Sequence, residues 1–132
     1  MCSVVGFPTG AVSSVIKAAE ASAAVADGAT EIDMVIHIGA MKDKRYTDVY
    51  LDVKAVRDAV PGVTLKVILE TSSLTKEEVL LASWASKLAG ADFLKTSTGF
   101  GPGGATVEDV RILRSVMTEE SCYQCFTPLT CN

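Results

Sequence analysis

The chain has 132 residues, 48% of them hydrophobic and 21% charged, which suits one globular domain rather than two. A formal net charge of −4 with no Lys/Arg cluster, and an aromatic content of 6%, argue against a nucleic-acid surface, which needs a basic stripe or a stacking platform. No apolar run reaches the roughly 18 residues of a membrane span, and the opening MCSVVGFPTGA lacks the basic start and long apolar run of a signal peptide, so a cytoplasmic protein is expected.

Short β-prone runs alternate with helical stretches. SVVGF, residues 3–7, reads as a strand. Residues 12–26 are alanine-rich with few breakers and read as a helix. EIDMVI, residues 31–36, is a second strand. Residues 46–60 place Val49, Val53 and Val56 at helical spacing, and Pro61-Gly62 stops that helix. TLKVIL, residues 64–69, is a third strand. Ser73 or Thr75 caps a helix running to Leu88, with Glu77 and Glu78 in its first turn. Residues 91–96 form a fourth strand. Residues 106–117 form a last helix, with Thr106 as cap and Glu108-Asp109 near its positive end. Four strands separated by helices of this length make a parallel sheet with right-handed crossovers. The class is α/β, as a small doubly wound sheet or as half of an eight-stranded barrel.

Charges inside the apolar strands choose between those two. Gly28-Ala29-Thr30-Glu31-Ile32-Asp33 echoes Gly90-Ala91-Asp92-Phe93-Leu94-Lys95, so Asp33 and Lys95 hold equivalent positions in two βα modules. Lys66 is a third charge within a strand. One such lysine snorkels easily to a sheet edge. Three charges are costly where helices cover both faces, whereas a barrel collects them at the top of its interior. A shared polar site in a partial barrel is the expectation.

FLKTSTGFGPGG follows on from the fourth strand. Gly99, Gly101 and Gly104 match G-x-G-x-x-G, yet Pro102 lies inside the motif and no later strand supplies a ribose-binding acid, so a dinucleotide reading ranks last. Loop amides at a helix start still suit an anion such as a phosphate monoester. Cys122 and Cys125 form a C-x-x-C without a second pair, and the single histidine, His37, is remote, so reduced thiols are preferred to a redox pair or a zinc site.

Four segments, VVGFPTG, DGATEIDMVI, LKVILET and above all GADFLKTSTGF, give the chain from Cys2 to Met117 a resemblance to the deoxyribose-phosphate aldolases. The resemblance implies a (β/α)₈ barrel and a class I aldolase that needs no metal or other cofactor. Such enzymes reversibly cleave 2-deoxy-D-ribose 5-phosphate to D-glyceraldehyde 3-phosphate and acetaldehyde. It implies Lys95 as the Schiff-base nucleophile, Asp33 as proton donor and acceptor, and Lys66 as a supporting charge. It assigns Thr96, Thr98 and Gly99 to substrate binding, and it allows a homo-oligomer.

The family pattern continues with a G-x-K-x-[SA]-G-G strand carrying a second lysine, whereas residues 118–132 read TEESCYQCFTPLTCN and hold no lysine. The expectation is therefore a partial TIM-barrel domain of about four βα units over residues 1–117, and an atypical cysteine-containing tail over 118–132 that does not look like a barrel strand. Two functional readings follow: an aldolase fragment of impaired activity, or a non-catalytic phosphate-binding or interaction half-barrel.

Overall fold

The structure is a computed structural model, and it describes residues 1–117 together with the backbone of a short strand at Cys122–Gln124. Strands β1 (Cys2–Val5), β2 (Glu31–Val35), β3 (Thr64–Ile68), β4 (Phe93–Lys95) and β5 (Cys122–Gln124) form one sheet in sequential order, every neighbouring pair parallel. Helices α1 (Ser14–Ala26), α2 (Ile38–Lys42), α3 (Tyr46–Ala59), α4 (Lys76–Leu88) and α5 (Val107–Val116) fill the connections.

Register assigns the two faces. Met34, Val67 and Leu94 lie side by side, and Ile32 is level with Leu65. All five are fully buried and join one core with Ala21 of α1, Val49, Val53 and Val56 of α3, Val79 and Ala82 of α4, and Leu113 of α5. Helices thus cover this face, and α1, α3, α4 and α5 pack on one another in succession. The intervening residues form the opposite face: Asp33 level with Lys66 and Phe93, and Val35 level with Ile68 and Lys95. A doubly wound sheet would place helices there as well. Helices on one side and charges on the other are the arrangement of a barrel wall.

Local chemistry moves several of the expected bounds. β1 ends at Val5 because Gly6 takes a positive φ of 61°. The first helix starts at Ser14 because Ser13 caps it, accepting from the Ile16 amide at 3.4 Å. Of the two possible caps for α4, Thr75 is used, accepting from Glu78 N at 3.2 Å, while Ser73 closes a 3-10 turn over Thr71–Ser73. Thr106 caps α5 as expected. α2 was not anticipated; His37 Nδ1 accepts from Ala40 N at 3.1 Å and opens it. The echoed Gly28 and Gly90 both sit at the turn from helix to strand with φ near 105°, a region that glycine enters freely.

One expectation is corrected. The segment after α5 does contribute a strand: Cys122, Tyr123 and Gln124 pair parallel with Phe93, Leu94 and Lys95. A free edge on β4 offers a ladder of unpaired amides and carbonyls, and Cys122–Gln124 pair with it although the segment lacks the expected glycines. The C-x-x-C partner Cys125 and the last cysteine, Cys131, lie outside the described residues.

Candidate active site

Asp33 from β2, Lys66 from β3 and Lys95 from β4 meet on the helix-free face, each less than a tenth exposed. Lys95 Nζ donates a short hydrogen bond to Asp33 Oδ2. Lys66 Nζ lies 3.9 Å from Asp33 Oδ1 and 3.2 Å from Glu31 Oε2. The Cys2 thiol donates to Asp33 Oδ1 across 3.2 Å. Asp33 thus takes contacts from three other strands, and its bond to Lys95 crosses β3, since β2 and β4 are not neighbours in the sheet.

These groups balance as two carboxylates and two ammoniums. Burial alone pulls the Lys66 ammonium down, but its hydrogen bond to Glu31 and the charges of Asp33 and Glu31 outweigh that and leave it above the ordinary lysine value. Lys66 is therefore a standing cation at neutral pH, with its charge turned toward the two acids. Burial first, then the hydrogen bond and charge of Asp33, push the Cys2 thiol up to about 11. It stays protonated and serves as a donor, not as a thiolate nucleophile. Among the described residues no group of three or more His, Cys, Asp or Glu is placed to hold a metal ion.

The binding residues read from the sequence follow directly on Lys95. Thr96, Ser97 and Thr98 are all buried. Thr96 O accepts from Thr71 N at 2.8 Å, and Ser97 Oγ donates to Thr96 Oγ1 at 3.2 Å. Thr98 Oγ1 donates to Glu70 Oε2 at 2.5 Å, and Gly99 turns the chain with φ 90°. Thr98 also lines a cavity of about 310 Å³ with Pro8, Thr9, Glu70, Ser73 and Phe100, at the ends of the strands where the βα loops begin.

Cys2, Glu31 and Glu70 belong to this constellation and were missed in the sequence. For Glu31 a signal existed: residues i and i+2 of a strand share a face, so Glu31 accompanies Asp33. The same parity links Glu70 to Lys66. Cys2 gave none, because a cysteine in an apolar strand is an ordinary core residue.

Residues 6–127 match the model of the DeoC/LacD family aldolases. The chain belongs to this family. It is 54% identical over 121 residues to a deoxyribose-phosphate aldolase of Finegoldia magna, covering 92% of this chain and 57% of that protein. It is 56% identical over 117 residues to one of Bdellovibrio bacteriovorus, covering 89% and 53%. Among solved structures, the aldolase QR15 superposes with a TM-score of 0.88 at 40% identity, over 94% of this chain and 56% of that one. A tetrameric deoxyribose-phosphate aldolase from Aeropyrum pernix superposes at 0.74 with 34% identity, over 87% and 48%. The chain therefore spans about half the length of the relatives it matches, and its one-sided parallel sheet is a part of the (β/α)₈ barrel of these DeoC/LacD aldolases.

Proposed function

We propose that this chain carries the Schiff-base half of a deoxyribose-phosphate aldolase, with Lys95 as nucleophile, Asp33 as proton shuttle and Lys66 as the cation that offsets Asp33. The observation that carries the reading is the Lys95–Asp33 hydrogen bond on the helix-free face, buried and balanced by Lys66.

An amine attacks a carbonyl only when neutral, and a lysine in water is neutral about once in a few thousand at pH 7. Asp33 lies within bonding reach of Lys95 Nζ, so it takes and returns the proton locally as carbinolamine and imine form. In the imine of 2-deoxyribose 5-phosphate the positive nitrogen draws the electron pair of the C2–C3 bond. The C3 hydroxyl loses its proton to a base and becomes the aldehyde of glyceraldehyde 3-phosphate. The pair left on C2 forms an enamine with the lysine nitrogen. Protonation at C2 and hydrolysis release acetaldehyde and restore the amine. The Lys66 ammonium shares the Asp33 carboxylate with Lys95, 3.9 Å from its other oxygen.

Thr96, Thr98 and Gly99 belong in this reading to substrate binding, beside a loop whose amides suit the phosphate. The reading carries with it a phosphorylated-sugar substrate, a cytoplasmic place in deoxyribonucleotide breakdown, and self-association of the kind the A. pernix enzyme displays.

Incubation of the purified chain with acetaldehyde and borohydride, followed by intact mass and peptide mapping, tests it. The expected result is one reduced two-carbon adduct at Lys95, lost in Lys95→Arg and strongly slowed in Asp33→Asn. An unlabelled Lys95, with phosphate still raising the melting temperature, would instead favour the non-catalytic half-barrel.

A further inference from the structure

Glu70 is a buried carboxylate with no ion-pair partner among the described residues, just beyond the end of β3. It also occupies the left-handed region with φ 54° and ψ 62°, where residues other than glycine are uncommon. Such a group persists only where its surroundings over-determine it, and such groups gather at functional sites. Its carboxylate faces the segment that follows the nucleophile. Oε2 accepts the Thr98 hydroxyl at 2.5 Å, and the Thr98 amide lies 3.4 Å from Oε2 and 3.5 Å from Oε1. Thr98 Oγ1 in turn accepts from Phe100 N at 3.1 Å. On either side of Glu70, Leu69 N donates to Lys95 O at 3.0 Å and Thr71 N to Thr96 O at 2.8 Å. Residues 69–71 therefore grip the chain at Lys95, Thr96 and Thr98.

The glycine loop fits the same picture. A Cβ at Gly101 would stand 2.7 Å from the Glu70 carboxyl carbon and from Oε1. The loop passes so close over the carboxylate that a side chain at position 101 would push the Glu70 carboxylate aside.

We infer that Glu70 is a positioning residue: its carboxylate clamps Thr98 and the 98–101 loop, and so sets the placement of Lys95 and the anion-facing amides behind it. The Thr98 hydroxyl proton is engaged by Glu70, so Thr98 takes part in substrate binding by shaping the loop rather than by donating its hydroxyl. The inference rests on the aldolase reading for its rate effect, but the clamp itself is measurable without it.

The test uses the full chain as wild type, Glu70→Ala, Glu70→Gln, Thr98→Val and the Glu70→Ala/Thr98→Val double variant. The rate of borohydride-trapped adduct at Lys95 is followed against acetaldehyde concentration. Loss of a charge-assisted hydrogen bond corresponds to about a factor of ten. Glu70→Ala should lower the maximal trapping rate about tenfold and leave half-saturation unchanged. Glu70→Gln keeps an acceptor oxygen in place and should retain a third or more of the wild-type rate. The double variant should be no slower than Glu70→Ala. A Glu70→Ala rate within twofold of wild type overturns the inference, as does a raised half-saturation at unchanged maximal rate, or additive effects in the double variant. If Glu70→Ala does not fold, equal trapping rates in Glu70→Gln, Thr98→Val and wild type overturn it. If wild type forms no adduct, the aldolase reading fails by itself, and hydrogen exchange decides the clamp. The Thr98 and Phe100 amides should then exchange about tenfold faster in Thr98→Val, and unchanged exchange overturns it.

Discussion

Asp52→Ala is the sharpest probe of how α1, α3 and β2 are held together. Lys17 of α1 is fully buried, and its Nζ donates to Asp52 of α3 at 2.6 Å and to Val35 O at 2.9 Å, while Ser14 Oγ donates to the other Asp52 oxygen at 2.9 Å. Removing the carboxylate leaves an uncompensated buried ammonium, which typically costs about 3–5 kcal/mol. The escape route is loss of the lysine proton. From a reference value of about 10.4, that costs about 4.6 kcal/mol at pH 7, which caps the destabilisation near the same figure. Burial, the leading cause, already draws Lys17 below the ordinary lysine value with Asp52 present, and without Asp52 only the smaller pull of the Glu20 charge opposes it. In the variant the folded state then holds Lys17 neutral while the unfolded state keeps its proton. The unfolded state binds more protons, so stability rises with pH, by about 1.4 kcal/mol per unit across pH 7–9. Urea denaturation of wild type and Asp52→Ala at pH 7, 8 and 9 measures this. A domain of this size shifts its melting point by roughly 4 °C per kcal/mol, so a fall of roughly 10–20 °C is expected at pH 7. A loss below about 1 kcal/mol, or one that does not shrink toward pH 9, refutes the reasoning.

Two further outcomes follow from the shifted groups. With its thiol raised from 9.0 to about 11, Cys2 should alkylate with iodoacetamide at pH 8 about a hundredfold more slowly than the same thiol in urea; in Asp33→Asn the rate should recover at least tenfold, read by peptide mapping. Asp109 at the start of α5 is buried, which raises its value, but hydrogen bonds from Lys76 and Thr106 and the charge of Lys76 overcome this and hold it below 3.8. A depressed carboxyl contributes stability above its unfolded value that disappears as pH falls through the folded one, so Asp109→Asn should lose stability at neutral pH and show a shallower decline below about pH 4 in acid-titrated melts.

Much of this architecture can be read directly from residue order. Strands 2 to 4 are near-continuous apolar runs, the helices between them carry caps or valines at helical spacing, and glycine punctuates the turns. α2 escaped because five residues containing Gly39 carry no periodicity; its start depends on His37 acting as a cap. The left-handed turn at Glu70 escaped for a related reason: the surrounding contacts select it, and glutamate has no preference for it. Asp33 and Lys95 were legible because a charge within an apolar strand is conspicuous. Lys17 was not, since a lysine in an alanine-rich helix looks solvated; only its four-residue spacing to buried Ala21 marks the inward face. What the charges do to one another was not legible at all. That Lys66 turns toward Glu31 and Asp33 depends on angles between strands, which no pattern along the chain records.

The bond between Asp33 and Lys95 has a geometric consequence. Neighbouring strands stand a little under 5 Å apart, so β2 and β4 are separated by roughly 10 Å. Over a flat sheet, both side chains would have to lie along the surface to meet above β3. On a concave wall they converge while still standing upright. The pair is therefore a gauge of curvature, closing when the wall bends and parting when it flattens. Substitutions on the helix-covered face, such as at Val67 or Val79, can then alter the reactivity of Lys95 from a distance, by changing how tightly the wall is rolled.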